Sequence, residues 1–69
     1  MRLYELALNR LNDEEYKAIV LRVEHEFTYE QLAEALEKPS WNAARMSVAR
    51  AMLKLSKLMR DFAKAKKKS

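Results

Sequence analysis

Residues 27–55, FTYEQLAEALEKPSWNAARMSVARAMLKL, decide the fold. Thr28 stands three residues before Gln31, the spacing of a capping box, in which each side chain satisfies the other's backbone N–H at a helix start. Leu32, Ala33 and Leu36 give that helix an inner face, and the small Ala33 marks a close helix crossing. Pro39 disfavours helical geometry at Lys38 and has no N–H to donate, so the helix is expected to stop there. A four-residue connection, residues 37–40, ends at Ser40, which is expected to cap the next helix. Ala44, Val48, Ala51 and Leu55 then follow at steps of four, three and four and share one helical face. A short capped helix, a tight connection and a longer helix form a helix-turn-helix pattern, in which the second helix is offered to a DNA major groove.

Working outward, the first helix is expected over residues 3–11, with Leu3, Leu6, Ala7, Arg10 and Leu11 on one face. Asn12 and Glu15 form a second capping-box pair, and Asp13, Glu14 and Glu15 put negative charge at the positive end of a second helix. That helix is expected to run to about Glu26 and to bury parts of Ile19, Val20 and Val23. Leu58, Met59 and Phe62 extend the apolar stripe of the last helix. Residues 1–63 thus read as one domain and residues 64–69 as a basic disordered tail. The expected fold class is all-α: a four-helix helix-turn-helix domain without a wing.

Composition agrees. The 69 residues contain no glycine and one proline, against roughly 7% and 5% in average usage, so the vocabulary of sheets and turns is nearly missing. There is no cysteine and a single histidine, His25, which excludes a disulfide framework and a thiolate metal site. No cofactor is expected, and the Glu24-His25-Glu26 cluster reads as a solvated helix end. No apolar run approaches the ~20 residues of a membrane span, and no signal peptide is visible, so the expected location is cytoplasmic. Through position 37 four basic residues face nine acidic ones; from Lys38 on, ten basic residues face only Asp61. A basic half suits a polyanion such as the DNA backbone. The alternative is a solvated helix face with a lysine tail. An enzyme is not expected, because no nucleophile–base pair, metal set or glycine-rich phosphate loop is present.

Four pieces in order carry a family resemblance: Leu8-Asn9-Arg10-Leu11, then Ala18 to Glu24, then Phe27 to Leu36, then Asn42 to Ala51. Over roughly residues 4–60 the chain resembles region 4 of bacterial RNA polymerase sigma factors, the C-terminal promoter-reading domain, most closely of the extracytoplasmic-function type. The resemblance implies binding to the upstream (-35) promoter element, docking on the flap of the RNA polymerase beta subunit, and masking by an anti-sigma factor. The chain departs from the family pattern at Glu26 and Glu37, where glycine is usual. Either those turns take left-handed backbone at a cost of about 1 kcal/mol each, or the helices run on. The companion domain that melts the -10 element is missing from the sequence, so this chain alone is not expected to start transcription.

Arg45, one turn into the last helix and beside Ala44, is the expected base reader, since a bidentate Arg–guanine contact discriminates by about 1–3 kcal/mol; the alternative is a solvated arginine. Asn42 pairs with adenine or a phosphate, or simply starts the helix. Met46 and Ser47 are expected to face the same way, Met46 toward a thymine methyl or simply exposed; Ser47 stands where the family often has arginine. Arg50, Lys54 and Lys38 suit phosphates better than bases. Thr28 and Tyr29 begin the preceding helix, where backbone N–H groups attract a phosphate, and Tyr29 alternatively lids the core. Ser40 and Trp41 complete the candidate DNA-binding set. Trp41, where the family has a small residue, lies against a sugar-phosphate edge or plugs a gap beside Pro39. Leu53, Leu58, Met59 and Phe62 either close the core against the first helix or form a partner surface, with residues 53–62 as a homodimer contact. The acidic first half is expected to face away from DNA. Two alternatives stay open: a protein-interaction module of the same fold without DNA reading, and another helix-turn-helix regulator such as a response-regulator output domain.

Overall fold

The computed structural model describes the backbone of residues 2–68 and the side chains of residues 2–65. Helix α1 is Leu3–Leu8, α2 is Asp13–Ile19, α3 is Tyr29–Ala35 and α4 is Trp41–Lys68. A π-helical turn, Val20–Glu24, continues α2. The described residues contain no strand.

α1 ends three residues earlier than its apolar spacing predicts. From Asn9 the chain tightens: the N–H groups of Arg10 and Leu11 donate to the carbonyls of Ala7 and Leu8, three residues back, at 3.0 and 3.1 Å. Leu11 nevertheless packs on the core, so the spacing reported the face and not the hydrogen-bond type. α2 starts as expected. The Asn12 N–H donates to Glu15 Oε1 at 2.9 Å and the Glu15 N–H donates to Asn12 Oδ1 at 2.8 Å.

α2 does not continue as α-helix to Glu26. After Ile19 the hydrogen bonds widen, with the His25 N–H reaching back five residues to the Val20 carbonyl at 3.2 Å. The wider turn rotates the later side chains. Val23, expected inside, is 47% exposed, while Leu21 packs inward beside Phe27. Glu26 then takes left-handed backbone, φ 56°, as does Glu37. The two turns are therefore built without glycine, and the helices do not run on.

α3 carries its predicted capping box, Thr28 N–H to Gln31 Oε1 at 2.8 Å and Gln31 N–H to Thr28 Oγ1 at 3.1 Å. Its end is not the work of Pro39. Leu36 closes the helix, the Lys38 N–H donates to the Ala33 carbonyl at 2.7 Å and the Glu37 N–H to the Glu34 carbonyl at 3.3 Å. This is the Schellman arrangement, with glutamate at the position that favours glycine; Pro39 only follows it. Ser40 Oγ accepts from the Ala43 N–H at 3.2 Å and caps α4.

α4 is the spine. Its 28 residues at 1.5 Å each span roughly 42 Å, close to the 45 Å long axis of the molecule. The backbone is helical through Lys68, where a disordered tail was expected from Lys64; Ser69 and the side chains of residues 66–69 lie outside the described residues. Two apolar clusters line α4. Ala44 and Val48 meet Ala18, Leu32 and Ala33; Ala51 and Leu55 meet Ala7, Leu8 and Ile19. Adjacent residues of α2, Ala18 and Ile19, thus join the two clusters, and alanines at 7, 18, 33, 44 and 51 let the helices approach closely. Leu58, Met59 and Phe62 pack half-buried on the cluster of Ala51 and Leu55, with the Arg10 guanidinium 5.7 Å from the Phe62 ring centre. Tyr4 Oη donates to Glu24 Oε2 at 3.1 Å, tying α1 to the end of the π turn. Among the described residues no helix is long and apolar enough to cross a membrane.

Candidate nucleic-acid interface

Burial of Ala44 and Val48 fixes which way the start of α4 points. Asn42, Arg45, Met46, Ala49 and Arg50 are exposed, as the spacing predicts. Arg45 Nε and Nη2 both donate to Asn42 Oδ1, at 3.2 and 2.9 Å. The guanidinium is held by a neutral neighbour one turn back and keeps its positive charge unpaired by that contact. Ser47 departs from expectation: it does not share the face of Met46 but turns, half-buried, into a recess.

That recess, about 210 Å³, lies between the start of α2 and the flank of α4, lined by Asn12, Glu14, Glu15, Lys38, Ser47 and Arg50 among others. Lys38 Nζ forms an ion pair with Glu14 Oε1, and Lys54 Nζ lies 3.0 Å from Glu15 Oε1. The two lysines expected to hold phosphates are thus already paired with carboxylates. Part of the acidic first half therefore does not face away from the basic helix. The Asn12 N–H hydrogen bond, and after it the Lys54 ammonium, hold the Glu15 carboxyl below its ordinary pKa against an opposing desolvation. Burial and the Glu24 contact push the Tyr4 phenol above its ordinary value.

Thr28, Tyr29, Glu30, Arg22 and Trp41 line a second, shallower groove where the starts of α3 and α4 come together. The Arg22 guanidinium lies 4.3 Å from the Tyr29 ring centre, and Arg22 Nη1 donates to the Phe27 carbonyl at 2.8 Å. Tyr29 is half-buried on the cluster of Ala44 and Val48. Trp41 is 53% exposed, so it opens onto this groove rather than plugging a gap beside Pro39.

Of the expected residues, Asn42, Arg45, Met46 and Arg50 lie along the exposed side of α4. Thr28, Tyr29 and Trp41 form a neighbouring groove, and Lys38 and Lys54 stand in ion pairs. Ser40 spends its oxygen on the helix cap. Sequence reasoning missed Arg22, and it gave Glu14 and Glu15 only a helix-end role. No local pattern marks Arg22, because its partners are set by the π turn; the two acids were visible as charges, and their lysine partners were not. Leu53, 72% exposed, is the most open large apolar side chain among the described residues. Among the described residues no group of three His, Asp or Glu side chains could hold a metal ion. Comparison with protein-family models, curated proteins and solved structures finds no match to this chain.

Proposed function

We propose that α3, the connection through Ser40 and α4 act as a helix-turn-helix, and that α4 reads duplex DNA from the major groove as a sigma-factor region 4 domain reads the -35 element. The observation that carries this reading is the division of one helix: Ala44 and Val48 point into the core, while Asn42, Arg45, Met46 and Arg50 stand exposed. Arg45 reads a guanine edge, with Asn42 orienting it. Arg50 holds a phosphate, and Trp41 lies along the backbone edge beside Tyr29. Promoter DNA is the partner, RNA polymerase is met through its beta flap, and an anti-sigma factor masks the same domain. Enzymatic activity and a cofactor form no part of the proposal. Fluorescence anisotropy with a duplex carrying a -35-like element, against a scrambled duplex, tests it. Tighter binding to the first supports the reading, and equal binding at every salt concentration rejects sequence-specific recognition.

A second reading is a protein-interaction module of the same fold, for polymerase, an anti-sigma factor or a second copy. The ion-paired state of Lys38 and Lys54, the inward turn of Ser47 and the exposed Leu53 favour it. Leu58, Met59 and Phe62 weigh against a dimer through residues 53–62, since they are spent on the chain's own core. Size-exclusion chromatography of the domain beside a gel shift separates the two readings.

A further inference from the structure

We infer that Glu14 and Glu15 occupy the phosphate-binding lysines in the free protein, so that DNA must displace the chain's own carboxylates to bind. The inference rests on the DNA reading above and deepens it. Both acids belong to the first turn of α2, and their partners come from two other places, the α3–α4 connection and the middle of α4. All four side chains meet along one flank of α4, and Glu14, Glu15 and Lys38 line the same recess as Arg50.

Glu15 is positioned in advance. One oxygen, Oε1, accepts from the Asn12 N–H at 2.9 Å and from Lys54 Nζ at 3.0 Å, so the capping box that starts α2 also aims a carboxylate at α4. An ammonium is a compact point charge that donates to a carboxylate or a phosphate oxygen without strict geometry. The pairs are solvent-accessible: the lysine side chains are 27% and 46% exposed. Such pairs are weak, and a closely placed phosphate can replace them. Arg45 is tied to a neutral amide and loses no ion pair on binding. The carboxylates therefore penalise backbone contacts and leave the base-reading contact alone, which weakens binding to all sequences by about the same factor.

The test is Glu14→Gln with Glu15→Gln. Glutamine keeps the capping box, since either residue serves at that position, and removes both charges. Glu5→Gln with Glu34→Gln makes the same change in net charge at exposed positions of α1 and α3. Anisotropy titrations of a scrambled duplex are run at several salt concentrations, with thermal melts to check folding. The recess variant is expected to bind about fivefold tighter than the original chain at low salt, the effect of two weak pairs. The slope of log K against log salt is expected to steepen by about 1 to 2. The control is expected to gain less than about twofold through long-range charge, with its slope unchanged. In a Lys38→Gln, Lys54→Gln background the gain from the recess substitutions is expected to vanish. Equal gains in both glutamate-to-glutamine variants, or a gain that survives loss of the lysines, overturns the inference while leaving the DNA reading intact. Failure of every protein to bind any duplex removes the DNA reading, and this inference with it.

Discussion

Arg45 is fastened to Asn42 across one turn of α4, with Nε and Nη2 converging on a single amide oxygen at 3.2 and 2.9 Å. A guanidinium has five N–H donors, so this fork uses only part of the set on an exposed residue. A pre-oriented arginine loses less freedom on meeting a planar acceptor pair such as guanine O6 and N7.

Arg45→Ala is therefore expected to cost about 1–3 kcal/mol on the preferred duplex and to relax sequence choice at one position. Asn42→Ala, which releases the guanidinium without removing it, is expected to move affinity the same way by a smaller amount. Selection from randomised duplexes followed by anisotropy on the winners measures both. An Arg45→Ala protein with unchanged preference contradicts the assignment.

Glu26 and Glu37, each at φ 56°, carry a Cβ where the backbone favours none. Replacing either with glycine is expected to stabilise the domain by about 0.5–1 kcal/mol. In a chain of this size that amounts to a rise of roughly 2–8 °C in Tm. Urea unfolding followed by circular dichroism gives the free energies directly. A loss of stability in both variants would show that the glutamate side chains contribute more than the strained backbone costs.

The depressed pKa of Glu15 has a defined sign. Its carboxylate is stabilised in the folded state by the Asn12 N–H and by Lys54, so its contribution is fully present above its ordinary value of 4.5. The contribution is lost as pH falls through the lower folded value. Melting curves of the original chain and of Glu15→Gln are expected to lie apart at neutral pH and to converge under acid conditions. Curves that stay parallel down to strong acid contradict the ion pair.

The join between α3 and α4 tolerates little change. Leu32, with no exposed surface, is expected to cost about 2–5 kcal/mol as Leu32→Ala. Ala44, equally buried, is expected to cost about 1–3 kcal/mol as Ala44→Leu by overpacking. A single core of this size supplies only about 3–5 kcal/mol, so the first variant is expected to be largely unfolded in a thermal melt. Two-state melts unchanged in both variants would contradict the packing.

What the sequence made legible is what depends on local chemistry. Asn12 with Glu15, and Thr28 with Gln31, reported two helix starts because a capping box is complete within four residues. Ala44, Val48, Ala51 and Leu55 reported the inner face of α4 because helical periodicity is a property of one segment. Other features escaped. The π turn after Ile19 reversed the expected burial of Val23, and no apolar spacing announces a widened turn. Pro39 reads as the end of α3, although Glu37 has already reversed the backbone in a conformation glutamate seldom takes. The Glu14–Lys38 and Glu15–Lys54 pairs join residues far apart in the chain, so the basic half looked freer than it is. For the candidate interface, the exposed placement of Asn42, Arg45, Met46 and Arg50 was readable, and the inward turn of Ser47 was not.

The most direct test is a titration of isotope-labelled protein with a -35-like duplex, followed residue by residue in heteronuclear NMR spectra. Major-groove reading by α4 requires that the largest shifts fall on Asn42, Arg45, Met46, Ala49 and Arg50, with smaller ones at Thr28, Tyr29 and Trp41. Shifts confined to α1 and the π turn, or none at any duplex concentration, would contradict it.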